Sequence, residues 1–199
     1  MESLRHPNIV MFMGACTKSP GNLAIVLEFC KNNCLWALLQ DLRIPLSWEK
    51  RYELAIGVAK GMQYLHSFNV PVLHRDLKSL NVLLDEYYTP KIADFGWTRL
   101  LADKMTLKVG TFQWMAPEVI LTKTYTEKAD IYSFGIILWE IASREPPFKS
   151  KLRSIEWLSG ECGGCAEWVE ADNSIGLSKA FCQIDSEVLG FGSAGEAKF

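Results

Sequence analysis

The sequence predicts an α+β domain, and three observations carry that prediction. Two pairs of short β-prone runs are each separated by turn-forming residues. A long amphipathic helical pattern lies between the pairs, and a strongly apolar segment follows them at residues 131–142. Residues 9–13 and 23–29 read as strands, because β-branched, aromatic and other apolar residues flank Lys18-Ser19-Pro20-Gly21-Asn22, a dense turn signal. Ser47 predicts a helix N-cap, and Glu49 suits the positive end of the helix dipole. From there Leu54, Val58, Met62 and Leu65 recur at helical spacing and predict a buried stripe through His66. Gly57 and Gly61, four apart, cost helix propensity but permit close packing on one face. Residues 82–84 and 91–93 predict a hairpin around the turn-prone 85–90, and its open end would bring Asn81 and Asp94 together. Residues 131–142 are apolar almost all round, which predicts a helix buried in the middle of its lobe. Asp130, at the start of that helix, would be a costly buried charge unless it accepts hydrogen bonds.

Composition narrows the class. At 199 residues the chain suits one domain, or one and a fraction. Apolar residues make up 49% and charged ones 22%, which indicates a globular chain and not a disordered one. A net charge of -2 gives no electrostatic reason to expect nucleic acid or an anionic membrane as partner. The segment 131–142 is broken by Ser133, Gly135 and Glu140 and is too short to span a bilayer. No basic region followed by an apolar run opens the sequence, so an intracellular, cytoplasmic protein is expected. Six cysteines form no dense framework, and Cys162-Gly163-Gly164-Cys165 is a single C-x-x-C, short of the four ligands of a structural zinc site.

Three motifs carry the chemistry. His74-Arg75-Asp76-Leu77-Lys78-Ser79-Leu80-Asn81 comes first, Asp94-Phe95-Gly96 follows, and Ala116-Pro117-Glu118 closes the set. Any one carboxylate among them reads as a solvated turn residue, but the ordered set matches the H-R-D-L-x-x-x-N, D-F-G and A-P-E signatures of protein kinases. Phosphoryl transfer asks for positioned groups and fixed charge more than for covalent chemistry, which explains the spacing. Two oxygen ligands, Asn81 and Asp94, meeting at the end of a hairpin suit Mg²⁺, which binds through few protein groups plus substrate phosphates. Asp76 would lie within reach of an incoming hydroxyl as base or orienter.

On these motifs residues 4–148 resemble a protein kinase. The resemblance implies a protein-kinase-like fold, mainly the helical C-lobe with only the last strands of the N-lobe. Residues 9–13 and 23–29 would be its fourth and fifth strands, with Glu28-Phe29-Cys30 as the hinge facing adenine. Leu27 would be the gatekeeper and Leu83 the floor of the adenine pocket. ATP and Mg²⁺ are the implied cofactors and a protein hydroxyl the implied acceptor, while oligomeric state is not implied. Lys78 would approach the transferred phosphate, and Thr111 would brace the loop that receives the substrate. The family's counterpart of Asp130 holds the catalytic-loop backbone, and His74, Phe95 and Phe12 would stack as a regulatory spine. Arg75 would receive a phosphate on Thr106 of the activation segment.

Lys78 is the serine/threonine-type choice at its position. Leu4-Arg5-His6-Pro7-Asn8-Ile9-Val10, Met13-Gly14-Ala15-Cys16 and the run from Gly110 to Glu118 look like the tyrosine-kinase-like serine/threonine group, which includes Raf-like and mixed-lineage kinases. Trp97 departs from the small or aliphatic residue usual after D-F-G. A Gly-rich loop, a strand Lys of V-A-I-K type and its partner Glu do not precede the hinge, so the resemblance implies a kinase domain truncated at both ends. Residues 1–149 are expected to be this partial domain, and 150–199 a divergent extension. The extension carries four Lys/Arg against eight Asp/Glu and seven of the fourteen glycines, unlike the kinase helices that should follow. Residues 189–197 resemble a kinase phosphate loop, readable as the opening of a second kinase domain or as a flexible polar terminus. Two functions are open at this point: a serine/threonine kinase, with little activity expected of the isolated chain, or a catalytically silent interaction module.

Overall fold

A computed structural model describes residues 4–17, 24–94, 112–122 and 125–148. Strands β1 (Phe12–Cys16) and β2 (Ala24–Leu27) pair antiparallel, with Phe12 opposite Leu27 and a bulge between Phe12 and Gly14. The sequence placed the first strand at 9–13, and the ladder begins three residues later. Hydrogen bonding explains the shift. The Ile92 N–H donates to the Asn8 carbonyl at 2.9 Å, and the Val10 N–H donates to the Ile92 carbonyl at 2.9 Å. The apolar run is therefore shared, with Ile9 and Val10 buried against one hairpin and Phe12 onward paired in another. The second strand is also shorter than the expected 23–29. The Glu28 N–H still donates to the Met11 carbonyl, but Phe29 is 87% exposed.

Two short helices went unanticipated. Helix α1 (Leu35–Gln40) buries Leu35, Leu38 and Leu39. Helix α3 (Pro117–Thr122) starts with proline at its first position, where the missing N–H removes no helical bond. Between them stand the long helix and the second hairpin. Helix α2 (Trp48–His66) is capped by Ser47, whose hydroxyl accepts from the Lys50 N–H at 3.2 Å, and it buries Leu54, Val58, Met62 and Leu65. A 3₁₀ turn, Ser79–Asn81, leads into β3 (Val82–Leu84), which pairs antiparallel with β4 (Pro90–Ile92), Val82 facing Ile92. The Asp85 carboxylate accepts the N–H groups of Tyr87 and Thr89 and so organises the turn.

Helix α4 (Glu127–Ser143) is longer than the apolar segment that announced it. It is not apolar all round: Ile131 is 61% exposed, and the buried stripe includes Asp130, Ser133 and Glu140. One core unites Leu35, Leu39, Leu54, Leu65, Ile92 and Ile137. Two arginines satisfy helix ends within it, where the last carbonyls lack intrahelical partners. Arg144, left-handed at φ 57°, caps α4 and donates its guanidinium to the carbonyls of Leu38, Leu39, Asp41 and Ile44. Arg51 of α2 donates to the carbonyls of Ile141 and Ala142 at the end of α4. Among the described residues no helix is long and apolar enough to cross a membrane. Residues 150–199, with Cys162, Cys165 and the 189–197 glycine pattern, lie outside the described residues, as does the 18–22 turn.

Helix α2 reaches β4 through its two glycines. A Cβ on Gly57 would stand 2.3 Å from Pro90 Cγ, and one on Gly61 would stand 2.7 Å from both the Asn8 carbonyl oxygen and Ile92 Cδ1. Gly61→Ala should therefore lower stability by about 1–3 kcal/mol through overpacking, outweighing the gain of up to about 1 kcal/mol in helix propensity. Denaturant unfolding checks this, and an unchanged or raised midpoint would contradict the close contact.

Candidate active site

Helix α4 delivers the group that shapes the site. Asp130 is 1% exposed, and its carboxylate accepts four hydrogen bonds. The donors are the His74 N–H at 2.8 Å, the Arg75 N–H at 3.0 Å, His66 Nε2 at 3.0 Å and the Tyr125 hydroxyl at 3.2 Å. Burial alone would raise its pKa, but the bonds from His66 and the two backbone N–H groups prevail and hold it below the ordinary value. The same carboxylate, with burial as the larger cause, pushes the Tyr125 hydroxyl up, so Tyr125 stays a donor. Turning two successive N–H groups onto one carboxylate accompanies a left-handed backbone at Arg75, φ 67°, rare outside glycine.

His74 is fully buried, and its partners assign the tautomer. Nε2 lies 2.9 Å from the Ala93 carbonyl and must donate, while Nδ1 accepts from the Asp76 N–H at 3.3 Å. Burial holds the ring's pKa below its usual value, so it is neutral, as this pattern requires. The imidazole thus ties the backbone before Asp94 to the backbone of Asp76. Its expected stack with Phe95 lies outside the described residues, and Phe12 is half-buried.

Asp76, Lys78 and Asn81 are brought together. Lys78 Nζ stands 3.1 and 2.9 Å from the two Asp76 carboxylate oxygens. Asn81 Nδ2 donates to the Asp76 carbonyl at 2.7 Å and to its carboxylate at 3.1 Å. That assigns the amide nitrogen, so Oδ1 is the atom left to ligate a cation. The Ala93 N–H donates to the Asn81 carbonyl at 2.8 Å and closes the open end of the hairpin one residue before Asp94. Asp94 is exposed and left-handed, φ 58°. A carboxylate and an amide oxygen are hard donors that fit Mg²⁺. Among the described residues no cluster of three His, Cys, Asp or Glu offers a cage for a metal.

The segment expected to meet adenine lies along the same hairpin. The Asn32 N–H donates to the Leu84 carbonyl and the Leu84 N–H to the Asn33 carbonyl, while Leu83 bridges Cys34. Lys91, opposite Leu83, reaches the Glu28 carboxylate at 3.1 Å, and that carboxylate also accepts the Met11 N–H at 2.7 Å. Burial raises the Cys30 thiol pKa, with Glu28 adding to it, so Cys30 is neutral at ordinary pH. Leu27 is 40% exposed on β2, and Leu83 is half-buried. Thr111 and Thr106 lie outside the described residues.

Comparison with known proteins identifies the family. A family profile described as "Protein tyrosine and serine/threonine kinase" matches residues 1–159. The chain belongs to the protein kinase family. It is 49% identical over 153 residues to serine/threonine-protein kinase CTR1 of Arabidopsis thaliana, covering 74% of this chain and 18% of that protein. It is 47% identical over 154 residues to the probable serine/threonine-protein kinase drkC of Dictyostelium discoideum, covering 75% of this chain and 20% of that protein. A putative serine/threonine-protein kinase/receptor, R831 of Acanthamoeba polyphaga mimivirus, is 43% identical over 149 residues, which is 74% of this chain and 9% of that protein. The chain thus spans a fifth or less of the length of these curated relatives. The serine/threonine type read from Lys78 agrees with all three names. Use of ATP and Mg²⁺ and of a protein substrate is general to this family.

Sequence reasoning missed Glu140, Ser79 and Trp114. The Glu140 carboxyl is 1% exposed and accepts from Ser79 Oγ at 2.7 Å and Trp114 Nε1 at 2.8 Å. Burial pushes its pKa up to about 7 against the pull of those two donors. The signal was present as a lone carboxylate inside an apolar helix. A carboxyl whose folded pKa lies above its unfolded one binds its proton more tightly when folded, so its contribution to stability falls as pH rises from 4.5 through about 7. His74 acts oppositely below its ordinary value and Asp130 only in acid, so the Glu140→Gln difference isolates the term. Glu140→Gln should gain stability over the parent between pH 5 and 8, by the order of 3 kcal/mol at most. Denaturant midpoints across that range check it, and a constant difference would contradict the raised pKa.

Proposed function

We propose that this chain supplies the catalytic half of a serine/threonine protein kinase, transferring the terminal phosphoryl group of ATP to a protein hydroxyl. One observation carries the reading above the others. The Asp76 carboxylate is gripped by Lys78 and Asn81, in a loop whose backbone is fixed by Asp130.

The roles follow from the donors. Asp76 accepts a hydrogen bond from the acceptor hydroxyl, aims its oxygen at phosphorus and takes its proton as the new P–O bond forms and the terminal phosphorus parts from the bridging oxygen, which leaves on ADP. Lys78, already on Asp76, holds positive charge where negative charge spreads over the phosphoryl oxygens. Asn81 through Oδ1 and Asp94 through its carboxylate would hold Mg²⁺. When bound, the ion neutralises phosphate charge and keeps the leaving oxygens in place. The backbone at 28–30 would receive adenine, between Leu27 and Leu83, with the Glu28–Lys91 pair steadying that segment against β4. Thr111 bracing the substrate loop and Thr106 as a phosphate acceptor paired to Arg75 belong to the same reading.

Phosphotransfer from ATP–Mg²⁺ to a generic protein acceptor, in the protein that carries this chain, should fall about 10²–10⁴-fold in Asp76→Asn, the usual worth of a positioned base. Asp94→Asn should weaken the Mg²⁺ dependence of nucleotide binding. Equal rates in parent and Asp76→Asn would remove Asp76 from the reaction, and an unchanged Mg²⁺ titration would remove Asp94 from the metal site.

A further inference from the structure

The motif that makes up the catalytic loop contains one polar side chain the mechanism does not use. Ser79 stands between Lys78 and Asn81 and is fully buried. Trp114, a member of the hydrophobic core, is 3% exposed and leads through Met115 into Ala116-Pro117-Glu118. Glu140 touches both, one carboxyl oxygen accepting from Ser79 and the other from Trp114. Trp114 is further keyed by the Ser133 hydroxyl, which donates to its carbonyl at 2.7 Å, and by an edge contact with Trp36 of α1 at 6.2 Å between centroids.

We propose that Glu140 is a positioning residue that locks the catalytic loop to the segment entering the A-P-E motif, so that displacement of either is transmitted to the other. The inference rests on the kinase reading of Asp76, Lys78 and Asn81. A carboxyl is suited to the task because the indole N–H only donates, and the serine hydroxyl both donates and accepts. Leucine or methionine at this position would pack the core but leave the Trp114 N–H and Ser79 hydroxyl without their buried partner, a cost of the kind that buried donors pay when orphaned. The charges on neighbouring elements have other partners: Arg51 on the carbonyls of Ile141 and Ala142, Arg144 on the carbonyls of α1, Lys78 on Asp76. Helix α1 and residues 112–117 contribute no charged side chain. Nothing but hydrogen bonding through Glu140 is needed to connect Ser79 and Trp114, and Ser79 sits in the 3₁₀ turn that presents Asn81.

The geometry also separates two substitutions. In Glu140→Gln the amide oxygen accepts from Trp114 and the NH₂ donates to Ser79 Oγ, so the bridge survives without charge. In Glu140→Ala it is lost. Residue-resolved amide exchange in the full chain reads the lock at two bonds, the Asn81 N–H on the Lys78 carbonyl and the Met115 N–H on the Phe112 carbonyl. Trp114→Phe keeps an aromatic ring and deletes the donor, along with part of the indole's volume, so the rescue in Glu140→Gln is the decisive comparison. Trp114→Phe should speed exchange at Asn81 by roughly two- to tenfold, the loss of one hydrogen bond. Glu140→Ala should speed both sites, Trp114→Phe should add nothing to it at Asn81, and Glu140→Gln should restore both. Val58→Ala, a core truncation in α2, supplies the control for bulk destabilisation, which moves all amides together. If Glu140→Ala does not fold, Trp114→Phe and Glu140→Gln still decide. Exchange at Asn81 unchanged by Trp114→Phe, or as fast in Glu140→Gln as a bulk loss of bonding requires, overturns the lock. The measurement needs neither nucleotide nor turnover, so its failure would leave the phosphotransfer test of the kinase reading untouched.

Discussion

The buried carboxylate of Asp130 is the constraint on which the rest of the site depends. A lone charge at 1% exposure would be expelled or protonated, and four donors are what keep it ionised in place. Two of them are successive backbone N–H groups, so the carboxylate fixes the chain as well as a side chain. Arg75 is held left-handed, His74 is held with Nδ1 toward the Asp76 N–H, and the ring's other nitrogen reaches the hairpin at Ala93. Asp76 inherits its place from both directions. Remove the acceptor and four donors, two of them backbone N–H groups, lose this partner at once.

Helix α4 serves as the rigid element for this purpose. Asp130, Ser133 and Glu140 are spaced by three and seven residues and so share one face of an α-helix. Each engages a different piece of irregular chain: the backbone of the catalytic loop, the Trp114 carbonyl, and the pair Ser79 and Trp114. Irregular backbone cannot satisfy its own polar groups as a helix does, and here a polar face on an otherwise apolar helix does it instead. The apolar residues beside them, Ile136, Ile137 and Ile141, bind the helix into the core that also holds α2 and β4. Fold and site are thus built from alternate positions of the same helix.

Much of this was legible in the sequence, and what was not has physical reasons. The α2 stripe, its Ser47 cap and the second hairpin follow from periodicity and turn chemistry, which are local. The first strand was misplaced because residues 8–10 look like a strand but place their hydrogen bonds on Ile92, more than eighty residues away. Helix α1 is six residues long and too short to show a period. Asp130 was recognised as a buried charge in need of donors, yet His66 and Tyr125 as two of those donors could not be read from spacing. The constellation of Asp76, Lys78 and Asn81 was legible because its members lie within six residues. Glu140 was not, because its partners lie 61 and 26 residues away and only the fold brings them to it.

The most direct measurement of the central claim is the titration of the Asp130 side-chain carboxyl carbon by nuclear magnetic resonance, followed together with the His74 and Arg75 amide signals. With four donors outweighing burial, the carboxyl should remain ionised as the pH falls through 3.8, with both amides holding their hydrogen-bonded positions for as long as the protein stays folded. Protonation at or above 3.8 in the folded protein, or amide signals that ignore the carboxyl when it does titrate, would show that Asp130 does not hold the loop.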